Sequence, residues 1–173
     1  ITIASTGSSW ADTAIGQRAM VATVQPLATQ AGLQAIKEGG NAVDAAVAAA
    51  LMLGVVDGHN SGLGGGCFIL IRRADGQLIA IDGREMAPAA AKEDMFIREG
   101  KAVAQLSQTG PLASGVPGAL AAYTEALNRA GNLQIRLPLL WAANVAEKGF
   151  KLDRIYAGKL DRTQQTIKQF PAT

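Results

Sequence analysis

A guanidinium at position 84, with carboxylates on both sides of it, is the group in this chain best suited to gripping an acid. Arg84 stands in the run Asp82-Gly83-Arg84-Glu85, at the exit of an apolar stretch, where a side chain can project into a cleft. Its fork of donors matches a carboxylate at two points, which a lysine ammonium does not do. The plainer reading is an ion pair with Glu85 or Asp82 at a strand end. Glu85 either steers a substrate's amino group or fixes Arg84, and the supporting role is the commoner arrangement. Asp82 reads as a strand-end residue.

Other candidate chemistries weaken on inspection. Gly62-Leu63-Gly64-Gly65-Gly66 invites a phosphate, but a Walker loop needs Lys then Ser or Thr after its last glycine, and Cys67-Phe68 stand there. A dinucleotide turn follows a strand and opens a helix, whereas this one follows a helix and opens a strand. Close backbone packing, where only glycine fits, explains it, with the floor of a pocket as a lesser alternative. His59 is the single histidine, and Ser61 nearby lies in nothing like a nucleophile elbow. A turn histidine capping backbone groups is the expectation. Cys67, the single cysteine, fits a small buried hydrophobe and allows no disulfide within the chain and no cysteine-built metal site. Glu93/Asp94 and Lys37/Glu38 read as solvated faces, and Ser107, Gln108 and Thr109 as a loop that caps itself or borders the cleft. A binding arginine without a nucleophile and base is half an active site.

The elements that must hold Arg84 are legible nearby. Pro26 suits the first turn of a helix through Lys37, with Leu27, Ala31 and Ile36 near one face and Gly39-Gly40 as its stop. Asn41 with Asp44 three positions on is close to a capping box, and Ala45 to Val56 is apolar on every side. Its small alanines predict close approach of another layer, with the following strands as partner. Cys67 to Arg72 and Gln77 to Asp82 read as strands joined by Arg73-Ala74-Asp75-Gly76, a hairpin signal, the first strand buried on both faces. Met20 to Val24 reads as a further short strand, and Met95 and Phe96 as anchors. Helices are expected over about Ala119 to Arg129, Pro138 to Lys148 and Asp153 to Lys168, with Gly131 and Gly149 as breaks. Ile1 to about Gln17 reads as a loose arm before a globular part from 18 to 173. These elements make an α+β layered domain.

At 173 residues and 49% hydrophobic content the chain has one domain with a real core. Charged residues are only 17%, sparse in the first seventy positions, which suits a surface covered by a partner subunit. The net charge of +2 has its basic excess after Lys151, without interleaved aromatics, so nucleic-acid binding is disfavoured. The Ala45–Val56 run is too short to span a bilayer, and Ile1 opens no recognisable signal peptide.

GGNAVDAAVAAAL (39–51), NSGLGGGCF (60–68) and DGREMAP (82–88) resemble the large subunit of gamma-glutamyltransferases, a family that includes class IV cephalosporin acylases. SQTGPLASGVPGALAAY (107–123) and AEKGF (146–150) extend the resemblance, which runs roughly from Met20 to Phe150. It implies the four-layer αββα sandwich of N-terminal nucleophile (Ntn) hydrolases, of which residues 1–173 are the N-terminal portion of the large subunit. It implies gamma-glutamyl transfer and hydrolysis on glutathione and similar donors, with Arg84 holding the donor's α-carboxylate and Glu85 supporting it. The nucleophilic threonine would open a small subunit cut from the same zymogen, so no catalytic residue is expected here. The partners implied are that small subunit, the rest of the large subunit, the donor, and an amine or water acceptor. No metal, organic cofactor, nucleic acid or membrane is implied, and the enzyme would be periplasmic or secreted, with a cytoplasmic one as alternative. A glutaryl-specific cephalosporin acylase, and a non-catalytic binding or scaffold domain, are the competing readings.

Overall fold

Asn41 starts the helix on which the rest is packed. Its side chain accepts from the backbone N–H of Val43 at 2.7 Å and of Asp44 at 3.4 Å, while Asp44 Oδ2 accepts from the Asn41 N–H at 2.7 Å. The reciprocal pair is a complete capping box with Asp in the place of the usual Glu. In the computed structural model, which describes residues 15–171, two helices come first, α1 (Pro26–Lys37) and α2 (Ala42–Val56). They lead into strands β1 (Cys67–Arg72) and β2 (Leu78–Gly83), and then into a short hairpin of β3 (Ile97–Arg98) and β4 (Lys101–Ala102). Helices α3 (Ala119–Ala130), α4 (Arg136–Lys148) and α5 (Arg154–Ile167) complete the order. Helix and strand are mixed as an α+β chain requires. The described residues give helices and two-stranded sheets, not the full set of four layers.

Helix α2 buries Val47, Leu51, Met52 and Val56 in one cluster with Ile71, Ile81, Ala122, Ala126 and Leu127. Its alanine side meets α1 rather than the strands, correcting the expected partner. Ala45 and Ala48 pack with Ala35, and a Cβ on Gly32 would come within 3.0 Å of the Ala45 carbonyl oxygen. Small side chains let two helix backbones approach, and here both helices supply them. On α1 the buried stripe is Ala28, Ala31, Gly32 and Ala35, with Leu27 and Ile36 only half-buried at its edges.

Strands β1 and β2 pair antiparallel, Cys67 opposite Gly83 and Arg72 opposite Leu78. The turn closes through Gly76 N–H to the Arg73 carbonyl at 3.0 Å, with Gly76 at φ +87°, a conformation glycine adopts without strain. Only one face of this hairpin is covered: Ile71 and Ile81 are buried, whereas Phe68, Leu70 and Leu78 are 69%, 72% and 62% exposed. The expectation of burial on both faces therefore fails among the described residues, since an apolar run reports a preference for burial and not the presence of a cover. Met20 to Val24 likewise forms no strand, because no described strand lies beside it to complete a ladder. The β3–β4 hairpin was not foreseen; Glu99 and Gly100 take φ of +52° and +73° at its turn. The proposed arm falls on residues outside the described ones apart from 15–17, which are exposed.

One buried charge ties the first half of the chain to the second. Asp44, 1% exposed, accepts from the backbone N–H of Asn132 with both oxygens at 3.0 Å and from that of Leu133 at 2.8 Å. Asn41 Nδ2 donates to the Ala130 carbonyl at 2.6 Å. The cap of α2 thus also holds the α3–α4 connection.

Candidate functional site

Arg84 follows directly on β2, where Asp82 Oδ1 accepts from its backbone N–H at 3.0 Å. Three glycines fix the path of the chain around it. A Cβ on Gly66 would lie 2.7 Å from both Arg84 Cα and Glu85 N, one on Gly118 would lie 2.6 Å from the Arg84 carbonyl oxygen, and one on Gly83 would strike the Ala122 Cβ. Gly65 accepts from the N–H groups of Gly118 and Ala119, both at 3.2 Å, and Met86 and Val116 exchange backbone bonds of 3.1 and 2.8 Å. The glycine turn, the end of β2 and the start of α3 are therefore one backbone-packed unit. Close packing is what the sequence pattern predicted for the turn.

The side chains at this end are polar and open. Arg84 Nη2 donates to Glu85 Oε1 at 2.8 Å, and their side chains are 59% and 37% exposed. Among the described residues no other acceptor bonds the guanidinium, so Nε and Nη1 have no partner there. The Glu85 carboxyl is held below the ordinary range chiefly by its own backbone N–H, against an upward push from burial, with lesser downward contributions from the Arg84 charge and hydrogen bond. Glu85 therefore stays ionised beside Arg84, and the two form an exposed ion pair just beyond β2. Three cavities among the described residues lie elsewhere. One of about 980 Å³ runs between Arg18–Thr23 and α2, one of about 450 Å³ between α2 and β1, and one of about 570 Å³ beside His59 and the glycine turn. Arg84 lines none of them, and opens to solvent.

The remaining candidates fall mostly to structural roles. Cys67 is half-buried, and burial pushes its thiol pKa up, which disfavours the nucleophilic thiolate. Ser107 Oγ donates to the Ala104 carbonyl at 2.8 Å, a loop cap. Glu93, Asp94, Lys37 and Glu38 are exposed. His59 departs from expectation: its ring meets side chains and caps no backbone group. Its Nε2 lies 3.0 Å from Asn60 Nδ2, and its Nδ1 lies 3.3 Å from Asp57 Oδ1. The latter approach makes no hydrogen bond, and Nδ1 is buried without one. No group of three metal-ligating side chains converges among the described residues. The sequence reading missed the part of Gly115–Gly118 in framing Arg84. Glycines flanking Val116-Pro117 were the available signal, but spacing cannot name a backbone partner thirty residues away.

Gly66 and Gly64 make a paired test of this framing. Gly66→Ala is expected to destabilise by about 1–3 kcal/mol, because besides the Glu85 carboxylate it meets backbone atoms of Arg84 and Glu85 that cannot swing aside. Gly64→Ala, whose Cβ meets nothing within 4 Å, should stay within about 0.5 kcal/mol of the parent. Urea unfolding midpoints of the two variants check it, and equal midpoints would remove the packing role.

Comparison with known proteins now bears on this arrangement. The sequence profile of the gamma-glutamyltranspeptidase family matches residues 28–173. The glutathione hydrolase proenzyme of Escherichia coli (strain K12) is 43% identical over 145 residues, which is 83% of this chain and 25% of that protein. The crystal structure of Helicobacter pylori gamma-glutamyltranspeptidase superposes with a TM-score of 0.88 at 33% identity, over 93% of this chain and 46% of that one. A cephalosporin acylase from Bacillus halodurans superposes with a TM-score of 0.70 at 29% identity, over 94% of this chain and 32% of that one. The chain thus spans about a quarter of the curated relative and just under half of the Helicobacter chain. A match over most of the chain, in sequence and in backbone alike, places it in the gamma-glutamyltranspeptidase family.

Proposed function

We propose that this chain is the N-terminal portion of the large subunit of an Ntn hydrolase that transfers and hydrolyses gamma-glutamyl groups, and that Arg84 is its donor-binding residue. The observation that carries the reading is a largely exposed guanidinium at a strand end, backed by three close-packed glycines and bonded through one nitrogen to Glu85. Two of its nitrogens are left for a carboxylate, and a fork held in place loses little freedom on binding. The nucleophile is the threonine that opens the small subunit. Its Oγ attacks the γ-carbonyl while its own α-amine takes the proton, and backbone N–H groups of that subunit stabilise the oxyanion. The donor's amine leaves with the proton, giving an ester on the threonine. Water or an acceptor amine then attacks the ester and frees the hydroxyl. Arg84 fixes the donor by its α-carboxylate so that its carbonyl meets the nucleophile in one pose.

The open face of the β1–β2 hairpin supports a second sheet over it, as a four-layer sandwich needs, supplied by the rest of the large subunit or the small one. The Escherichia coli relative is named a proenzyme, which supports a processed pair of chains. No helix among the described residues is long and apolar enough to cross a membrane, and a periplasmic or secreted place fits the reading.

The acylase likeness favours one rival, a site for glutaryl groups, which keep the carboxylate and lack the α-amine. Rates of the assembled enzyme on γ-glutamyl and glutaryl anilides separate the two. The γ-glutamyl compound is expected to be the better substrate by at least about tenfold, because a site that bonds the α-amine leaves its own polar groups unpaired on an analogue lacking it. The reverse order would make the protein an acylase. Inactivity on both, with no threonine-initiated chain copurifying, would make it a scaffold.

A further inference from the structure

Tyr156 reaches from α5 back onto the turn that leads to Arg84. Helix α5 buries none of its own residues, yet the Tyr156 ring lies 5.0 Å from that of His59 and 6.3 Å from that of Phe150, centroid to centroid. Gly58 makes room for it: a Cβ there would come within 2.6 Å of the Tyr156 hydroxyl. His59, its side chain a tenth exposed, stands in turn against Asp57, the residue that ends α2. Asp57 accepts from Asn60 Nδ2 at 3.2 Å through its side chain, and from the N–H groups of Asn60 and Ser61 at 2.9 and 3.0 Å through its carbonyl. The chain then runs through Gly62–Gly65 to Gly66, whose backbone lies against Arg84 and Glu85. Of this path, the stretch 62–65 is glycine-rich and exposed or half-exposed, so little else in the described residues holds it in shape.

We propose that Tyr156, through His59, is a positioning residue: it clamps the start of the glycine turn and so sets the platform on which Arg84 presents its guanidinium to the donor. A ring of this kind gives a large contact with few torsions to freeze, and offset aromatic pairs hold a preferred geometry. Removing it leaves the start of the turn held by the Asp57 bonds to Asn60 and Ser61 alone, with no side chain packed over Gly58 and His59. Displacements far from the reacting atoms are felt as lost orientation of the bound substrate. The proposal rests on Arg84 being the donor-binding residue, and its test separates the two ideas.

In the assembled enzyme, Tyr156→Ala should raise the KM for a γ-glutamyl anilide about tenfold with kcat per active site within about twofold, a coupling of the size packed side chains transmit. Tyr156→Phe keeps the ring and should restore KM to within about twofold of the parent, because no hydrogen bond of the hydroxyl is involved. A merely structural role would lower the yield of active enzyme and leave KM per titrated site unchanged, and that result overturns the proposal. Arg84→Ala is run alongside. If it raises KM while Tyr156→Ala does not, the clamp fails and the binding arginine stands. If Tyr156→Ala raises KM and Arg84→Ala does not, the binding arginine fails and the platform proposed for it falls with it. If neither changes KM, both ideas fall.

Discussion

Arg84→Ala in the assembled enzyme is expected to raise the KM for γ-glutamyl donors by about 30- to 1000-fold, equivalent to about 2–4 kcal/mol of charge-assisted binding. The effect should fall mainly on KM, because a carboxylate remote from the scissile bond is held alike in the ground state and the transition state. Arg84→Lys keeps a charge and loses the fork, so an intermediate loss is expected. The decisive control is a donor whose α-carboxylate has been amidated. With it the parent enzyme should already bind weakly, and Arg84→Ala should add less than about threefold, since the partner of the guanidinium is gone. An unchanged KM on the natural type of donor would remove Arg84 from the site. Its bond to Glu85 would then be an ordinary exposed ion pair of the kind that contributes about 0–1 kcal/mol.

How far the sequence alone leads is decided by the range over which each interaction acts. The Asn41/Asp44 box closes within three residues, and Arg73-Ala74-Asp75-Gly76 folds its own strands together, so both were legible as local chemistry. Helices α1, α3, α4 and α5 begin and end within two residues of where their caps and glycines put them, for the same reason. Choices between partners are another matter. Alanines in α2 announce close packing and do not say whether a helix or a strand arrives, and α1, with alanines of its own, is what arrives. Phe68 and Leu70 announce burial, and the cover is not among the described residues. For Met20 to Val24 the β-forming composition is real, but a strand exists only when a second one lies beside it. At the candidate site the same division holds. Arg84 and Glu85 were singled out by type and position, whereas Gly118, Val116 and Tyr156 come to their places through tertiary packing that no spacing rule encodes.

Asp44 shows the division within a single residue, and it gives the largest expected loss of stability. Read locally, its carboxylate answers the Asn41 N–H and adds negative charge at a helix N-terminus, together worth about 1 kcal/mol. In the folded chain the same two oxygens also receive the N–H groups of Asn132 and Leu133, with the side chain 1% exposed. Asp44→Ala would strand three backbone donors around a buried side chain, at about 1–2 kcal/mol each, so a loss of about 3–6 kcal/mol is expected. Asp44→Asn fits the space and still costs about 2–4 kcal/mol, because an amide offers one acceptor oxygen and turns a donor toward donors. The measurement is the urea midpoint of the assembled enzyme, together with KM on whatever folds. The midpoint should drop for both variants while KM stays within about twofold, because the carboxylate faces the α3–α4 connection and not the Arg84 end. Parental stability in Asp44→Asn would mean that geometry alone, without the charge, holds the two halves of the chain together. A raised KM would mean instead that the α2 cap and the end of β2 move as one body.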